Sequence, residues 1–390
     1  MNKRLAIITT HPIQYNAPLF KILAERNIID IKVFYTFSQS QEGRQFDTGF
    51  GKVIEWDIPL LVGYDHDFIN NIAKKPGTWH FRGINNPSLN SSIEKWRPDA
   101  ILVYGWSFKT HLQCIRHFKN KIPVLFRGDS NLLDKKSVLK KIARTVLLKW
   151  VYRKVDYALF VGTANKSYYL KNGLKEKQLL FAPHAIDNNR FCSDEQLFKQ
   201  KALQKRLELG IGKDDIVFLF AGKLEPKKNP ELLIKAFQQL KEKAHLVIVG
   251  NGVLEKKLKE QYHSANIHFM AFQNQREMPI IYRMGDVFVL PSSGPGETWG
   301  LAVNEAMASG CPVIVSDKCG CALDIVENGR NGYVFKSEEE SDLLEKMQFM
   351  MDKKKIIEMG ENSKSIIQNW SFENICRQIE NILLPKTNPN

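Results

Sequence analysis

A chain of 390 residues with 43% hydrophobic and 11% aromatic content is too long for one ordinary core and suits two domains of roughly 150–200 residues each. This composition excludes disordered and low-complexity chains, and runs such as IVFLFAG and DVFVLP fall far short of the ~20 apolar residues that span a bilayer. The net charge of +14 is lopsided: residues 1–186 carry 29 Lys and Arg against 14 Asp and Glu, whereas 187–390 carry 27 against 28. The first half therefore suits an anionic partner: a phospholipid surface, a phosphorylated lipid or nucleic acid.

The opening MNKRLAIITTHPIQY lacks the h-region length and small-residue cleavage site of a signal peptide and reads as a first strand. Six cysteines (Cys114, Cys192, Cys311, Cys319, Cys321 and Cys376) follow no disulfide rhythm, which fits a reducing cytosol. Cys319 and Cys321, with Cys311 nearby, lack a fourth ligand and the usual zinc spacing, so buried thiols are the better reading. A soluble or peripheral cytoplasmic protein is expected.

In chain order, RLAIITT, IDIKVFYT, DAILVYG, IPVLFRG and DYALFVG read as strands, with helices APLFKILAER and SFKTHLQCIRHF between them. Such near-continuous apolar runs suit parallel strands buried on both faces. The pattern restarts near residue 215 with DIVFLFAG, AHLVIVG, NIHFMAF, DVFVLPSS and CPVIVSD, again separated by helix-like segments. Two doubly wound α/β domains follow, with their boundary near FAPHAIDNNRFCSDEQ. Ligands of such sheets sit at the C-terminal ends of the strands, which selects loops 10–16, 105–107, 127–131, 222–229, 272–275 and 292–300. DHD at 65–67 mimics a metal-binding D-x-D, a pattern short enough to arise by chance, and no essential metal is expected.

Two of these loops carry the chemistry. In FLFAGKLEPKKNPELLIKAF, Gly222 permits close backbone approach, and Lys223, Lys227 and Lys228 can neutralise a polyphosphate or form a solvated turn. In SSGPGETWGLAVNEAMASG, Glu297 precedes a helix start at Gly300 and Leu301, where amides and dipole favour an anion. Glu305 lies about 6–8 Å further along the helix axis. Carboxylate, anion seat and carboxylate in a row fit a ligand that presents sugar, diphosphate and ribose in that order.

This arrangement, with GCPVIVSD, LVIVGNG, VENGRNGYVF and WSFENI, resembles the retaining glycosyltransferases of the two-Rossmann GT-B fold, glycosyltransferase family 4 (the group 1 transferases). APHAIDNNRF is similar to that family's hinge motif, with His184 and Ala185 in place of Asn and Gly. The resemblance is dense over about 180–380; before that it rests on the strand pattern. It implies an acceptor-binding domain at 1–186, a nucleotide-sugar-binding domain at 187–368 facing it across a cleft, and a helix at 369–390 returning to the first domain. It implies that Glu297 binds donor-sugar hydroxyls, that Glu305 binds the ribose, and that Lys223 and Lys228 hold the diphosphate. The amides at Gly300 and Leu301 would complete the phosphate seat, Gly222 and Thr298 are counted with the donor-binding residues, and the base would lie near Phe272–Gln275. The implied mechanism is front-face attack with retention, assisted by electrostatic stabilisation of the leaving phosphate. No cofactor is implied; a nucleotide-diphosphate sugar, with a UDP-sugar favoured, is the co-substrate.

The first half departs from the family's pattern. THPIQYNAP replaces a Gly-Gly loop, so His11, Gln14 and Tyr15 are expected on the acceptor side, although His11 and Tyr15 also suit helix capping and packing. Trp106 and Arg127 are placed on the same side. Asp129 is either an acceptor base or a partner of Arg127. KKSVLKKIARTVLLKWVYRK (135–154) holds eight Lys and Arg and no acid, with Val138, Leu139, Ile142, Val146 and Trp150 on one face. That helix suits either core packing or an anionic lipid surface.

The expected function is transfer of a hexosyl or N-acetylhexosaminyl group to a glycan or lipid-linked glycan in bacterial surface polysaccharide synthesis (lipopolysaccharide or capsule), on the inner face of the plasma membrane. A nucleotide-sugar epimerase and an inactive nucleotide-sugar-binding protein are the alternatives. Nucleic acid is not an expected partner, because the basic run lacks interleaved aromatic platforms.

Overall fold

A computed structural model describes residues 2–40, 44–47, 52–133, 137–294 and 296–384. The chain divides into two units. Unit 1 comprises Met1–Gln45, Ile58–Pro183 and Phe372–Asn390; unit 2 comprises Phe46–Asp57 and His184–Ser371.

Unit 1 is built on a seven-stranded parallel sheet. Its strands are β1 (Lys3–Thr9), β2 (Ile29–Tyr35), β5 (Asp65–Phe68), β6 (Ala100–Tyr104), β7 (Val124–Arg127), β8 (Tyr157–Phe160) and β9 (Leu179–Phe181). The order β5-β2-β1-β6-β7-β8-β9 places the first strand centrally, and the chain winds outward from it first one way, then the other. The reversal between β1 and β6 is a topological switch point, where loops diverge and leave a crevice. β7 is buried throughout, as a parallel strand covered on both faces must be. The helix Phe372–Leu383 belongs to this unit: Glu380 takes the Arg26 guanidinium in a bidentate pair at 2.6 and 2.8 Å. DHD at 65–67 forms part of edge strand β5, where Asp65 and Asp67 pair with Lys32 at 3.3 and 3.1 Å.

Unit 2 holds a six-stranded parallel sheet of β10 (Ile216–Ala221), β11 (Ala244–Val249), β12 (Ile267–Met270), β13 (Val287–Leu290), β14 (Val313–Ser316) and β15 (Gly332–Phe335). Its order, β12-β11-β10-β13-β14-β15, repeats the same winding, with the switch point between β10 and β13. Every residue of β10 and β11 is buried. One segment falls outside the expected boundaries. Residues 46–57, read as part of the first domain, belong to unit 2, and β3 (Arg44–Asp47) and β4 (Lys52–Glu55) form a separate two-stranded sheet. Continuity along the chain had suggested otherwise, because a short strap carries no core pattern of its own. The boundary itself falls after Pro183, so His184 to Ile186 join unit 2.

His111, on the helix α3 (Lys109–Phe118), is fully buried in unit 1. Its Nδ1 faces the carbonyls of Tyr104 and Gly105 at 3.0 and 3.1 Å, and its Nε2 meets the Thr36 hydroxyl at 2.9 Å. Burial pulls its pKa from the ordinary 6.5 down to about 4. The folded state therefore favours the neutral ring, and this contribution is complete above pH 6.5 and lost as pH falls toward 4. At pH 5 the loss is about 2 kcal/mol. Urea melts at pH 7 and pH 5 should show a pH sensitivity larger by roughly that amount in the wild type than in His111→Asn. Equal sensitivities would refute it.

Candidate active site

In unit 2 the polar residues gather at the switch point. β10 ends in Ala221, and the loop 222–229 carries Gly222, Lys223 and Lys228 before the helix Pro230–Gln238. β13 runs into the loop 291–300. Here Gly294, Gly296 and Gly300 take φ of +71°, +89° and +101°, conformations that glycine adopts without steric cost. The two loops are tied by the Ser293 N–H, which donates to the Lys227 carbonyl at 2.9 Å.

Lys228 and Glu297, expected from the sequence to share one ligand, form an ion pair through Glu297 Oε2. Ser292 Oγ donates to the same oxygen at 3.0 Å. Glu297 is only 8% exposed, so the pair sits in a poorly solvated pocket where its charges act strongly. Gly300 is the N-cap of the helix Leu301–Ala308 and, having no side chain, leaves the helix's first amides uncapped by its own residue. Thr298 lies half-buried in the same loop. Phe272 stands two strands away, where its N–H donates to the Asn251 side-chain oxygen at 2.9 Å. Glu305 is buried on the helix after the loop, and the Tyr282 hydroxyl donates to its Oε2 at 2.7 Å.

The loop is braced by residues that sequence reasoning had not placed at the site. Gly320 N–H donates to the Glu297 carbonyl at 3.2 Å, and Cys321 N–H to the Trp299 carbonyl at 3.1 Å. Trp299 Nε1 donates to Asn304 Oδ1 at 2.8 Å, and Asn304 in turn reaches the His184 carbonyl at 2.9 Å. The C-G-C turn thus holds the glutamate loop from behind. Burial pushes the Cys319 thiol up to about 12 and that of Cys311 likewise. Among the described residues no group of three or more His, Cys, Asp or Glu could hold a metal ion.

Unit 1 presents its own rim. His11, Gln14 and Tyr15 follow β1, Trp106 follows β6 and Asp129 follows β7, and these three strands are neighbours in the sheet. His11 is half-buried, with its Nδ1 2.9 Å from Thr10 Oγ1 and its ring edge-on to Phe37; burial lowers its pKa. Trp106 packs against the unit's core. Arg127 departs from expectation. It is buried, and its guanidinium donates to the carbonyls of Ala182 and Pro183, both at 2.8 Å. These bonds satisfy the backbone where the chain leaves unit 1, which takes Arg127 off the acceptor rim.

The helix α4 (Val138–Tyr152) packs on the sheet by a different face from the one that periodicity picked out. Leu148, Val151 and Tyr152 face the core, while Leu139, Ile142, Val146 and Trp150 are 80%, 57%, 65% and 41% exposed. Leu139, Ile142, Val146 and Trp150 of the apolar face read from the sequence therefore point away from the sheet, while the Val138 side chain lies outside the described residues. No helix among the described residues is long and apolar enough to cross a membrane.

A lysine–carboxylate pair thus lies beside a helix start that has no side-chain cap, at the switch point of a doubly wound sheet, where the ligands of such sheets bind. Residues 202–369, which hold every one of these groups, match the family model described as glycosyl transferases group 1. The chain is 27% identical over 231 residues to the lipopolysaccharide 1,2-N-acetylglucosaminetransferase of Salmonella typhimurium, covering 55% of this chain and 59% of that one. It is 28% identical over 191 residues to the D-inositol 3-phosphate glycosyltransferase of Corynebacterium aurimucosum, covering 45% of each. The chain spans about half the length of the curated relatives it matches. The crystal structure of Anabaena HepE in complex with UDP and glucose aligns over 98% of this chain and 99% of its own, with a TM-score of 0.70 at 16% identity. The fold is thus the α/β GT-B fold of two Rossmann-like parallel-sheet domains.

Proposed function

We propose that this protein is a retaining, metal-independent glycosyltransferase of family 4. It moves a hexosyl or N-acetylhexosaminyl group from a nucleoside diphosphate, UDP by preference, to a glycan or lipid-linked glycan of the bacterial surface. The observation that carries the reading is the Lys228–Glu297 pair, poorly solvated and set beside the start of the Leu301–Ala308 helix, whose N-cap Gly300 makes no side-chain cap bond. Cleavage of the glycosyl–phosphate bond builds negative charge on the departing phosphate. In this reading Lys223, Lys228 and the amides of Gly300 and Leu301 stabilise it, with Gly222 and Thr298 on the same donor side. In the same reading Glu297 orients the sugar hydroxyls, Glu305 binds the ribose, and Asp129 serves the acceptor. A thermal-shift series with UDP-, GDP-, ADP- and CMP-sugars tests the donor, since a ligand of the native state raises apparent stability. A shift with none of them would end the donor assignment. Product analysis then separates transfer from epimerisation.

The acceptor side of this reading draws on α4. Its outward apolar stripe, in a segment of eight basic residues and no acid, suits the inner face of an anionic membrane. Co-sedimentation with phosphatidylglycerol vesicles at low salt should fall about tenfold or more in Ile142→Glu/Val146→Glu, since each buried apolar side chain supplies ~1.5–3 kcal/mol. Unchanged sedimentation would remove the membrane from the proposal.

A further inference from the structure

The loops that follow β10, β11 and β12 are knitted into one ledge. Leu224 N–H donates to the Asn251 carbonyl and Leu254 N–H to the Leu224 carbonyl, both at 2.9 Å. The Asn251 side chain then accepts from Phe272 N–H at 2.9 Å. The middle of the ledge carries no side chain at Gly250 or Gly252. A Cβ there would lie 1.9 Å from the Gly222 carbonyl oxygen or 2.4 Å from that of Leu224. One end of the ledge holds Lys223 and Lys228, over β10. The other end, over β12, holds Phe272. Two strand spacings separate them, or about 10 Å, a span that a nucleoside covers from its 5′-phosphate to its base.

At that far end stands Trp56. It belongs to the strap 46–57, which unit 2 takes from the first half of the chain. The strap is pinned to the 271–276 loop on both sides of the indole. Asn274 Nδ2 donates to the Glu55 carbonyl at 2.8 Å, and Arg276 N–H donates to both Asp57 oxygens at 3.2 Å. The Trp56 and Phe272 rings meet edge to face, with centroids 6.3 Å apart and planes at 62°. Both side chains are half-buried. An edge-to-face pair makes a corner in which one ring's face is not covered by the other, and a planar base stacks on such a face.

We propose that Trp56 closes the ledge as the stacking residue for the base of the donor's nucleoside diphosphate, with Phe272 as its support. This inference rests on the donor reading of the same ledge given above. It makes the strap a determinant of donor recognition, contributed by a part of the sequence that carries no family motif.

Calorimetric titration of the full chain with UDP, GDP and inorganic pyrophosphate tests it. Trp56→Ala should weaken binding of the preferred nucleoside diphosphate about tenfold, the size of one lost base–aromatic stack. Pyrophosphate, which has no base, should bind Trp56→Ala as it binds the wild type, and Trp56→Phe should recover most of the nucleotide affinity. In steady-state kinetics the loss should fall on the donor KM rather than on kcat. Unchanged nucleotide affinity in Trp56→Ala overturns the inference. So does an equal loss of pyrophosphate binding, because that outcome marks Trp56 as a mere anchor of the strap. If the wild type binds no nucleoside diphosphate, the donor reading fails and this inference falls with it.

Discussion

Lys228→Met is expected to lower kcat by ~10²–10³, the size of effect seen when one preorganised donor to a developing oxyanion is removed. It should also destabilise the fold by about 3 kcal/mol, because removing one partner leaves a buried, uncompensated charge. The second effect follows from the surroundings of Glu297. Its carboxylate is 8% exposed and shares Oε2 between the Lys228 ammonium and the Ser292 hydroxyl, which cannot by itself balance the charge. The double variant Lys228→Met/Glu297→Gln should recover most of the stability, since no buried charge then remains, while turnover stays low. Urea melts and donor-saturated kinetics on the two single variants and the double variant close the cycle. If stability does not return in the double variant, the pair is not the reason for the loss. If Lys228→Met turns over like the wild type, the lysine plays no part in stabilising the leaving phosphate.

Gly320→Ala should abolish most activity without touching a ligand-binding side chain. A Cβ on Gly320 would lie 1.8 Å from the Thr298 carbonyl oxygen and 2.6 Å from its carbon. Both neighbours are backbone, so the strain cannot be relieved by a rotamer change. The displaced segment is the one that carries Glu297, and its own bonds to the Gly320 and Cys321 amides are broken in the process. A shift of ~1 Å at a positioned group costs on the order of 10² in rate. The expected result is a fall of about that size in kcat/KM, with circular dichroism unchanged and a lower melting temperature. Wild-type kcat/KM in Gly320→Ala would show that the C-G-C turn yields and that the glutamate loop is not held from behind.

The legible and illegible features of this chain differ in physical kind. β10, β11 and β13 were readable because a strand covered on both faces needs a continuous apolar run. The restart of that pattern near residue 215 was enough to expect a second doubly wound sheet. β5 was read as a chance D-x-D because an edge strand alternates and exposes its acids to a neighbouring lysine. β15, short and at a sheet edge, carried too little pattern to be counted. At the site, glycines and charged residues in loops after strands could be listed by rule. The brace by Gly320 and Cys321 could not, since backbone hydrogen bonds between loops leave no mark on residue type.

What the sequence determined by itself, then, is the class of each sheet and the set of loops at its C-terminal rim, since hydrophobic period and loop chemistry are local properties. Only the tertiary structure decided which polar groups meet. It turned Arg127 inward to two carbonyls, joined Lys228 to Glu297, directed the apolar stripe of α4 outward and carried Trp56 to Phe272. Periodicity specifies that a helix has an apolar face but not what that face meets. A charge in a loop likewise specifies a capacity to bind, and its partner is set by long-range packing of segments that the chain itself keeps far apart.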